Sequence, residues 1–367
     1  MRHADTLILG GGPAGCAAAL RLARAGKRPL LIERARGGPE IVCGGFLAGD
    51  AIQLLRSMGA DPFELGAEPA TRLRLAAGRR TATIDLPFAA AGLSRRTLDA
   101  ALRTKAAEAG AQVECGVSIR SCDPARREVS LSDGGTIRAD TLFIATGKHE
   151  LRGIVRSAAR TENPSIGLRQ SMKLHPAQAR QLSGHLELYL FRQGYAGLIL
   201  HDGGEANLCM SVQRSRLRDA GNDPARLLDQ LCAECPPLGD RLGGADRGSG
   251  WSSIAHTPYG WLGQQTEDGV YRLGDQAAVI ASLAGDGIAL ALGTGTRAAD
   301  DWLRAGPGGA QPFQLWVGQN YRRPIRIASG LRASAMEPRL AGHAVQALRL
   351  MPGLARLLAR LTRTEAY

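Results

Sequence analysis

Gly10, Gly12 and Gly15 stand in a Gly-x-Gly-x-x-Gly turn, and Glu33 follows 18 residues after the last of them. Each residue suits one task in holding a dinucleotide. Gly10 permits a tight turn, Gly12 presents no Cβ to a pyrophosphate, and Gly15 lets a helix pack closely on a strand. Pro13 and Ala14 open the segment after the turn, where the N–H groups and dipole of a helix N-terminus favour an anion. Glu33 is placed to accept from a ribose hydroxyl, and its charge would repel a 2′-phosphate. The expected nucleotide is therefore NAD-like or FAD rather than NADP. A second constellation lies far along the chain. Gly274-Asp275 offers an acid to a ribityl hydroxyl, and Gly285-Asp286-Gly287-Ile288 opens a segment whose first N–H groups can face a flavin ring.

The elements needed to position these residues follow from the apolar patterning. Asp5 to Leu9 reads as a strand, the Ala-rich run after Gly15 as a helix stopped at Gly26, and Pro29 to Glu33 as a second strand, together a βαβ unit. Residues 34–45 are too rich in glycine and proline for regular structure, so Arg34 and Cys43-Gly44-Gly45 fall on a loop. A helix is expected over 51–58, a hairpin around Gly78, and a Ser-capped helix over 94–110 that begins with Arg95. The strand from Asp140 ends in a small-residue turn, Ala145-Thr146-Gly147, with Lys148 and His149 directed to the flavin side. From 151 to 265 the runs alternate as strands do, interrupted by one helix near Pro224 to Ala233. This stretch carries Tyr189, Tyr195, Trp251, Tyr259 and Trp261, candidate walls for a flat apolar substrate. Its His201 and His256, with Cys43, are the candidates for acid–base or thiol chemistry. A helix then runs to about Arg304, and Gly306 to Pro312 reads as a linker.

The expected fold is α/β: a discontinuous Rossmann-like nucleotide domain (1–70, 95–150, 266–305), an inserted antiparallel-sheet substrate domain (71–94, 151–265) and C-terminal helices (312–367). The net charge of +12 does not point to nucleic acid, because the arginines are scattered and no zinc-finger, RNP or helix-turn-helix pattern accompanies them. Residues 320–367, with nine Arg against two Glu, are the exception, and Arg349, Arg356, Arg360 and Arg363 face a run of leucines at near-helical spacing. That pattern makes the tail a candidate peripheral membrane contact. Seven cysteines without regular spacing form no disulfide framework, and Cys232 and Cys235 lack the further ligands that a metal site needs. With no signal-like or membrane-spanning run, a cytoplasmic protein is expected.

Over roughly residues 1–305 the chain resembles the FAD-dependent oxidoreductases of the p-hydroxybenzoate hydroxylase class, and within it the geranylgeranyl reductase branch. The resemblance rests on the N-terminal fingerprint, on Arg95-Arg96-Thr97-Leu98-Asp99 at a helix start, on Gly274-Asp275 with Gly285 to Ile288, and on the Cys43-Gly44 loop. It implies non-covalent FAD, held in part by Arg95, with Cys43 near the flavin and NAD(P)H as a transient electron donor. The chain departs from the reductases at Tyr195 to Leu200, which lacks their Trp and Pro, and carries Ser282 where a proline usually stands beside the flavin. Its Gly274-Asp-Gln-Ala-Ala and Ala145-Thr-Gly-Lys-His segments are similar to flavoproteins that accompany polyketide or phenolic-lipid synthesis. The leading expectation is a monooxygenase acting on a bulky apolar or phenolic molecule. An ene-reductase of isoprenoid chains and a non-catalytic flavin-binding assembly or sensor protein are the alternatives.

Overall fold

A computed structural model describes residues 1–37, 41–154, 156, 163–248, 250–351, 353 and 363. Its first sheet is built on β1 (Arg2–Leu9), which pairs in parallel with β2 (Leu30–Glu33) on one side and β9 (Thr136–Ile144) on the other. Thr6 to Leu9 are buried, as expected of a central parallel strand covered on both faces. β6 (Gln112–Cys115) extends the sheet beyond β2, while β7 (Ile119–Asp123) and β8 (Glu128–Leu131) form an antiparallel edge beyond β9. β15 (Val270–Arg272) returns late in the chain to pair in parallel with β9, so the two glycine constellations end at the same edge. α1 (Pro13–Arg24) and α8 (Gly287–Ala305) pack against each other through small residues. A Cβ on Gly295 would overlap the carbonyl oxygen of Ala14, which explains why the pair approaches so closely. α2 (Gly49–Ser57) and α3 (Arg95–Glu108) complete this layer.

The second sheet has eight strands. β3 (Phe46–Leu47), β4 (Glu68–Ala77) and β5 (Arg80–Gly92) lie at one end, joined through β11 (Gly184–Phe191) to β12 (Gly194–Leu200), β13 (Ala206–Gln213), β10 (Ser165–Met172) and β14 (Ser252–Ile254). All pairings are antiparallel except β11 with β4. Among the described residues four α-helices, not one, decorate the stretch from 151 to 265: α4 (Pro176–Leu182), α5 (Arg214–Asp219), α6 (Pro224–Glu234) and α7 (Pro236–Leu242). Pro176 and Pro236 sit in first turns, where the missing N–H costs nothing, so these prolines start helices that a breaker reading overlooks.

The stretch from Gly306 to Pro312 is no linker. Gly306–Gly309 forms a 3₁₀ turn that runs into α9 (Ala310–Ala335), and the Tyr271 hydroxyl donates to Gly306 O at 2.7 Å. A Cβ on Gly309 would overlap that hydroxyl, so the glycine serves packing rather than slack. Phe313, Val317, Tyr321, Ile325 and Ala328 of α9 join the core of the first layer, with Phe313 beside a stacked Phe143–Tyr271 pair. α10 (Pro338–Leu350) packs instead on β4, β5 and β11. Of the basic tail, residues 352, 354–362 and 364–367, which include Arg356 and Arg360, lie outside the described residues.

Candidate active site

The end of β1 turns at Gly10, whose φ of +110° and contact with Ala145 exclude a side chain. Gly15 lies beneath the turn, where a Cβ would overlap Gly10 O. Gly12 differs from both. Among the described residues its Cβ would meet only the Arg95 guanidinium, at 3.2 Å, on the open side of the turn, and none of their side chains caps α1 there.

Two adjoining cavities share Gly12, Arg95, Ala145, Gly147, Lys148 and Asp275, and together form one trough. The larger, about 370 Å³, reaches Gly10, Glu33, Arg34, Thr146 and His149. The other, about 170 Å³, runs past Pro13, Ala14 and Gly274 to the Cys43-Gly44-Gly45 loop and the start of α8 at Gly285, Gly287 and Ile288. Glu33 accepts from Gly11 N at 2.7 Å and Ala35 N at 2.9 Å, which fixes its carboxylate at the nucleotide end. His149 lies there too, 2.8 Å from Arg34, rather than on the flavin side, because the chain doubles back after Gly147. Burial and the neighbouring Arg34 hold its imidazole below the usual range.

Arg95 is aimed by a bidentate pair with buried Asp99, both contacts 2.8 Å. Ser94 caps α3 by accepting from Thr97 N, and Asp202, in the turn between β12 and β13, accepts from Ser94 N at 2.7 Å and the Thr97 hydroxyl at 2.6 Å. The start of α3 is thus tied to both layers. Asp275 lies 3.9 Å from Lys148 Nζ. Arg156, buried, donates to Asp275 O at 3.0 Å and Lys148 O at 2.6 Å, while Gln276 Nε2 donates to Gly147 O at 2.8 Å. These two residues clasp the middle of the trough. Gln276 adjoins the Gly-Asp pair and was open to reading, but Arg156 acts across 119 positions and left no local signal.

The Cys43 loop is held from below. Asn207 Nδ2 donates to Cys43 O at 3.1 Å and Gly44 O at 2.9 Å, and His201 Nε2 lies 3.2 Å from Gly44 O. Gly45 takes φ +63°, and a Cβ there would overlap the His201 ring. His201 is 4% exposed, and burial lowers its pKa to about 4, so the imidazole is neutral and its Nε2–H donates. It supports the loop. Because the unfolded imidazole binds a proton at higher pH, stability falls as pH drops from about 6.5 through about 4. A loss on the order of 2 kcal/mol is expected between pH 7 and pH 4.5, read by urea unfolding. His201→Asn should flatten that slope; an equal slope in the variant would assign the effect elsewhere.

Against the trough and the second sheet lies an apolar cavity of about 280 Å³, walled by Leu73, Leu75, Ile84, Leu188 and Leu190. It meets the trough at Gly44, Phe46, Cys209, Met210, Ser282 and Gly285. Tyr195 lines this cavity and Tyr259 the trough. The other three aromatic candidates line neither. Tyr189 points to the opposite face of β11 and donates to Glu187, Trp251 packs on the core beneath the second sheet, and Trp261 packs beside Gly263. His256 is exposed, with φ +57°, and lines no cavity described. Burial pushes the Cys235 thiol up to about 11 and raises Cys232, and both pack against the second core.

The trough fits FAD: an acid at one end, an uncapped helix start without Cβ beside an arginine in the middle, and a second helix start where a Cβ on Gly287 would meet nothing. Residues 4–154 match the pyridine nucleotide-disulphide oxidoreductase family model. The chain is an FAD-dependent oxidoreductase. This oxidoreductase is 26% identical to a menaquinone reductase of Mycolicibacterium smegmatis, over 92% of this chain and 86% of that one. It is 29% identical to a digeranylgeranylglycerophospholipid reductase of Methanoculleus marisnigri, over 80% and 75%. A flavin-dependent brominase shares the fold, with a TM-score of 0.77 and 19% identity over 97% and 93% of the chains.

When bound, FAD supplies electron-pair transfer. Gly12, Arg95 and Asp275 would hold it, and the Cys43 loop and the α8 start line the part of the trough beyond them. Asp275→Ala is expected to weaken FAD retention by roughly tenfold or more, through loss of a charge-assisted hydrogen bond of about 1.5 to 3 kcal/mol. Titration of the apoprotein with FAD measures it, and unchanged affinity would remove Asp275 from the site.

Proposed function

We propose that the oxidoreductase takes electrons from a nicotinamide nucleotide, bound transiently, and uses them to reduce a carbon–carbon double bond in a long apolar molecule of the polyprenyl class. The observation that carries this reading is the apolar cavity opening onto the trough between the Cys43 loop and the start of α8. The names of two relatives, reductases of a quinone and of an isoprenoid lipid, support it. In this reading Leu188, Leu190 and Phe46 exclude water and hold the chain of the substrate, while Cys43 and Tyr259 stand at the end where reduction occurs. Hydroxylation of a bulky phenol is the second reading, favoured by the tyrosine hydroxyls at the junction of the two cavities. Anaerobic mixing of the reduced enzyme with geranylgeraniol and, in parallel, with a long-chain alkylphenol, each followed by admission of oxygen, separates them. Return of the oxidised flavin spectrum without oxygen, with a reduced product, supports the first; return only with oxygen, with a hydroxylated phenol, supports the second.

We also propose that the outer face of α10 meets a membrane surface. Leu340, Leu350 and Met351 are exposed at 51%, 70% and 60%, arginines 339 and 349 flank them, and Leu348 of the same helix lines the apolar cavity. No helix among the described residues is long and apolar enough to cross a membrane. Removing the chain after Gln319 would take Tyr321, Ile325 and Ala328 out of the core, so point variants make the better test. The full chain is expected to float with anionic but not neutral liposomes at low salt, and Leu350→Glu with Met351→Glu to stay behind. Equal flotation of that variant would sink the assignment.

A further inference from the structure

The residue before α8 behaves unlike its counterparts before α3 and α6. Ser94 caps α3 and Asp223 caps α6, each accepting through its side chain from N–H groups of its own helix. Asp286 stands in the same place before α8, yet among the described residues no side chain caps that helix. Its backbone, with φ −103° and ψ 5°, departs from the extended conformation of the two caps, where ψ is 143° and 111°. The carboxylate turns to the C-terminal tail instead. Arg363 Nη1 donates to Asp286 Oδ1 at 2.8 Å, and the Arg363 guanidinium lies over the Phe88 ring, 3.7 Å from its centroid. Asp286 is fully buried and the Arg363 side chain is 14% exposed.

Gly285, Gly287 and Ile288 line the trough, so the N–H groups of the first turn of α8 are open to an acceptor of whatever the trough holds. A capping Asp286 would take those of Ile288 or Ala289, the second and third residues of the helix, and would bring a negative charge to that wall. Two features keep this alternative close at hand. Glycines flank Asp286 on both sides, so the backbone there can turn at little steric cost. A buried carboxylate also has to be met by donors, so loss of its bond to Arg363 favours the N–H groups nearest to it.

We propose that Arg363 is a positioning residue of the FAD site. By holding the Asp286 carboxylate on the side of the tail, it keeps the first N–H groups of α8 open to FAD and keeps a negative charge off that wall of the trough. It does so from 77 positions away in the chain. Arg363 and Phe88 line the apolar cavity and not the trough, so the guanidinium acts on FAD through Asp286 rather than by touching it. The residue that frees the helix start is at the same time part of the wall of the adjoining cavity. Its role concerns cofactor binding and is the same whichever reaction follows.

The test is titration of the full-length apoprotein with FAD, followed by flavin fluorescence, in a double-mutant cycle. Arg363→Met keeps a side chain of similar length against Phe88 but has no donor for Asp286. It is expected to weaken FAD binding about fivefold, the worth of a side-chain cap that the cofactor must then displace. In an Asp286→Ala background, where no carboxylate can return to the helix, the same substitution should change the affinity by less than about twofold. Hydrogen exchange of the apoprotein reads the cause without any cofactor: Arg363→Met should slow exchange at the N–H of Ile288 or Ala289 relative to the wild type. Unchanged FAD affinity in Arg363→Met overturns the proposal. So does an equal loss in both backgrounds, which would mean that Arg363 acts through its packing on Phe88. If Asp286→Ala does not fold, exchange decides: slower exchange together with weaker FAD binding supports the proposal, and exchange at the wild-type rate overturns it.

Discussion

Gly12→Val is expected to yield a folded protein that retains no FAD through gel filtration, with native far-ultraviolet dichroism and no yellow colour. The backbone at Gly12 has φ −83° and ψ −174°, an extended conformation open to any residue. Among the described residues, the atom that a Cβ would meet is Arg95 Nη2, at 3.2 Å, which would have to give by a few tenths of an ångström. Valine therefore asks the chain for no more than a small shift of Arg95, and its main collision is with what the trough holds. The cost should exceed about 3 kcal/mol, a hundredfold or more in affinity. Gly15→Val is the contrasting variant. There the Cβ overlaps Gly10 O, both atoms belong to the turn, and loss of folded protein is expected. A yellow Gly12→Val protein with a full complement of FAD would mean that the pyrophosphate does not cross this turn.

That contrast also shows which parts of the molecule were readable before the structure. The βαβ turn leaves a local mark, because the φ of +110° at Gly10 and the approach of Gly15 to Gly10 O are both made within a few residues. The Ser94 cap and the Gly78 hairpin are local in the same sense. Contacts that join distant segments leave no such mark. The clasp of Arg156 on Asp275, and the hold of Asn207 and His201 on the Cys43 loop, link positions more than a hundred residues apart. Nothing in the spacing around Arg156 or Asn207 announces a partner. His201 looked like an acid–base candidate because histidine near neutrality invites that reading, and only burial against Gly45 shows that it is a neutral strut.

Tyr189 illustrates a different limit. In Leu186-Glu-Leu-Tyr-Leu-Phe191 alternation puts the leucines on one face and Glu187, Tyr189 and Phe191 on the other, but both faces hold large apolar groups. Parity alone could not say which face meets the cavity. The leucines do, and Tyr189 belongs with Glu187 to a buried ionic cluster on the far side.

That cluster carries a large expected effect on stability that can be measured in a folded variant. Glu187 is 1% exposed, yet it accepts from Arg241 at 2.9 and 2.8 Å and is also in contact with Arg74 and the Tyr189 hydroxyl. Arg241, itself buried, further donates to Gln178 O at 3.0 Å and Gln178 Oε1 at 2.7 Å. Those neutral acceptors do not supply a counter-charge. Glu187→Ala would leave the Arg241 guanidinium inside the second core with no anion beside it, a change expected to cost about 3 to 5 kcal/mol. Chemical denaturation measures it, and a loss under about 1 kcal/mol would mean that water reaches Arg241. Glu187→Met with Arg241→Met removes both charges together and should recover most of the loss, since a buried pair and a well-packed apolar pair differ far less. Through all of these variants FAD content per folded molecule should hold, because the cluster and the trough lie on different faces of the second sheet and share no residue.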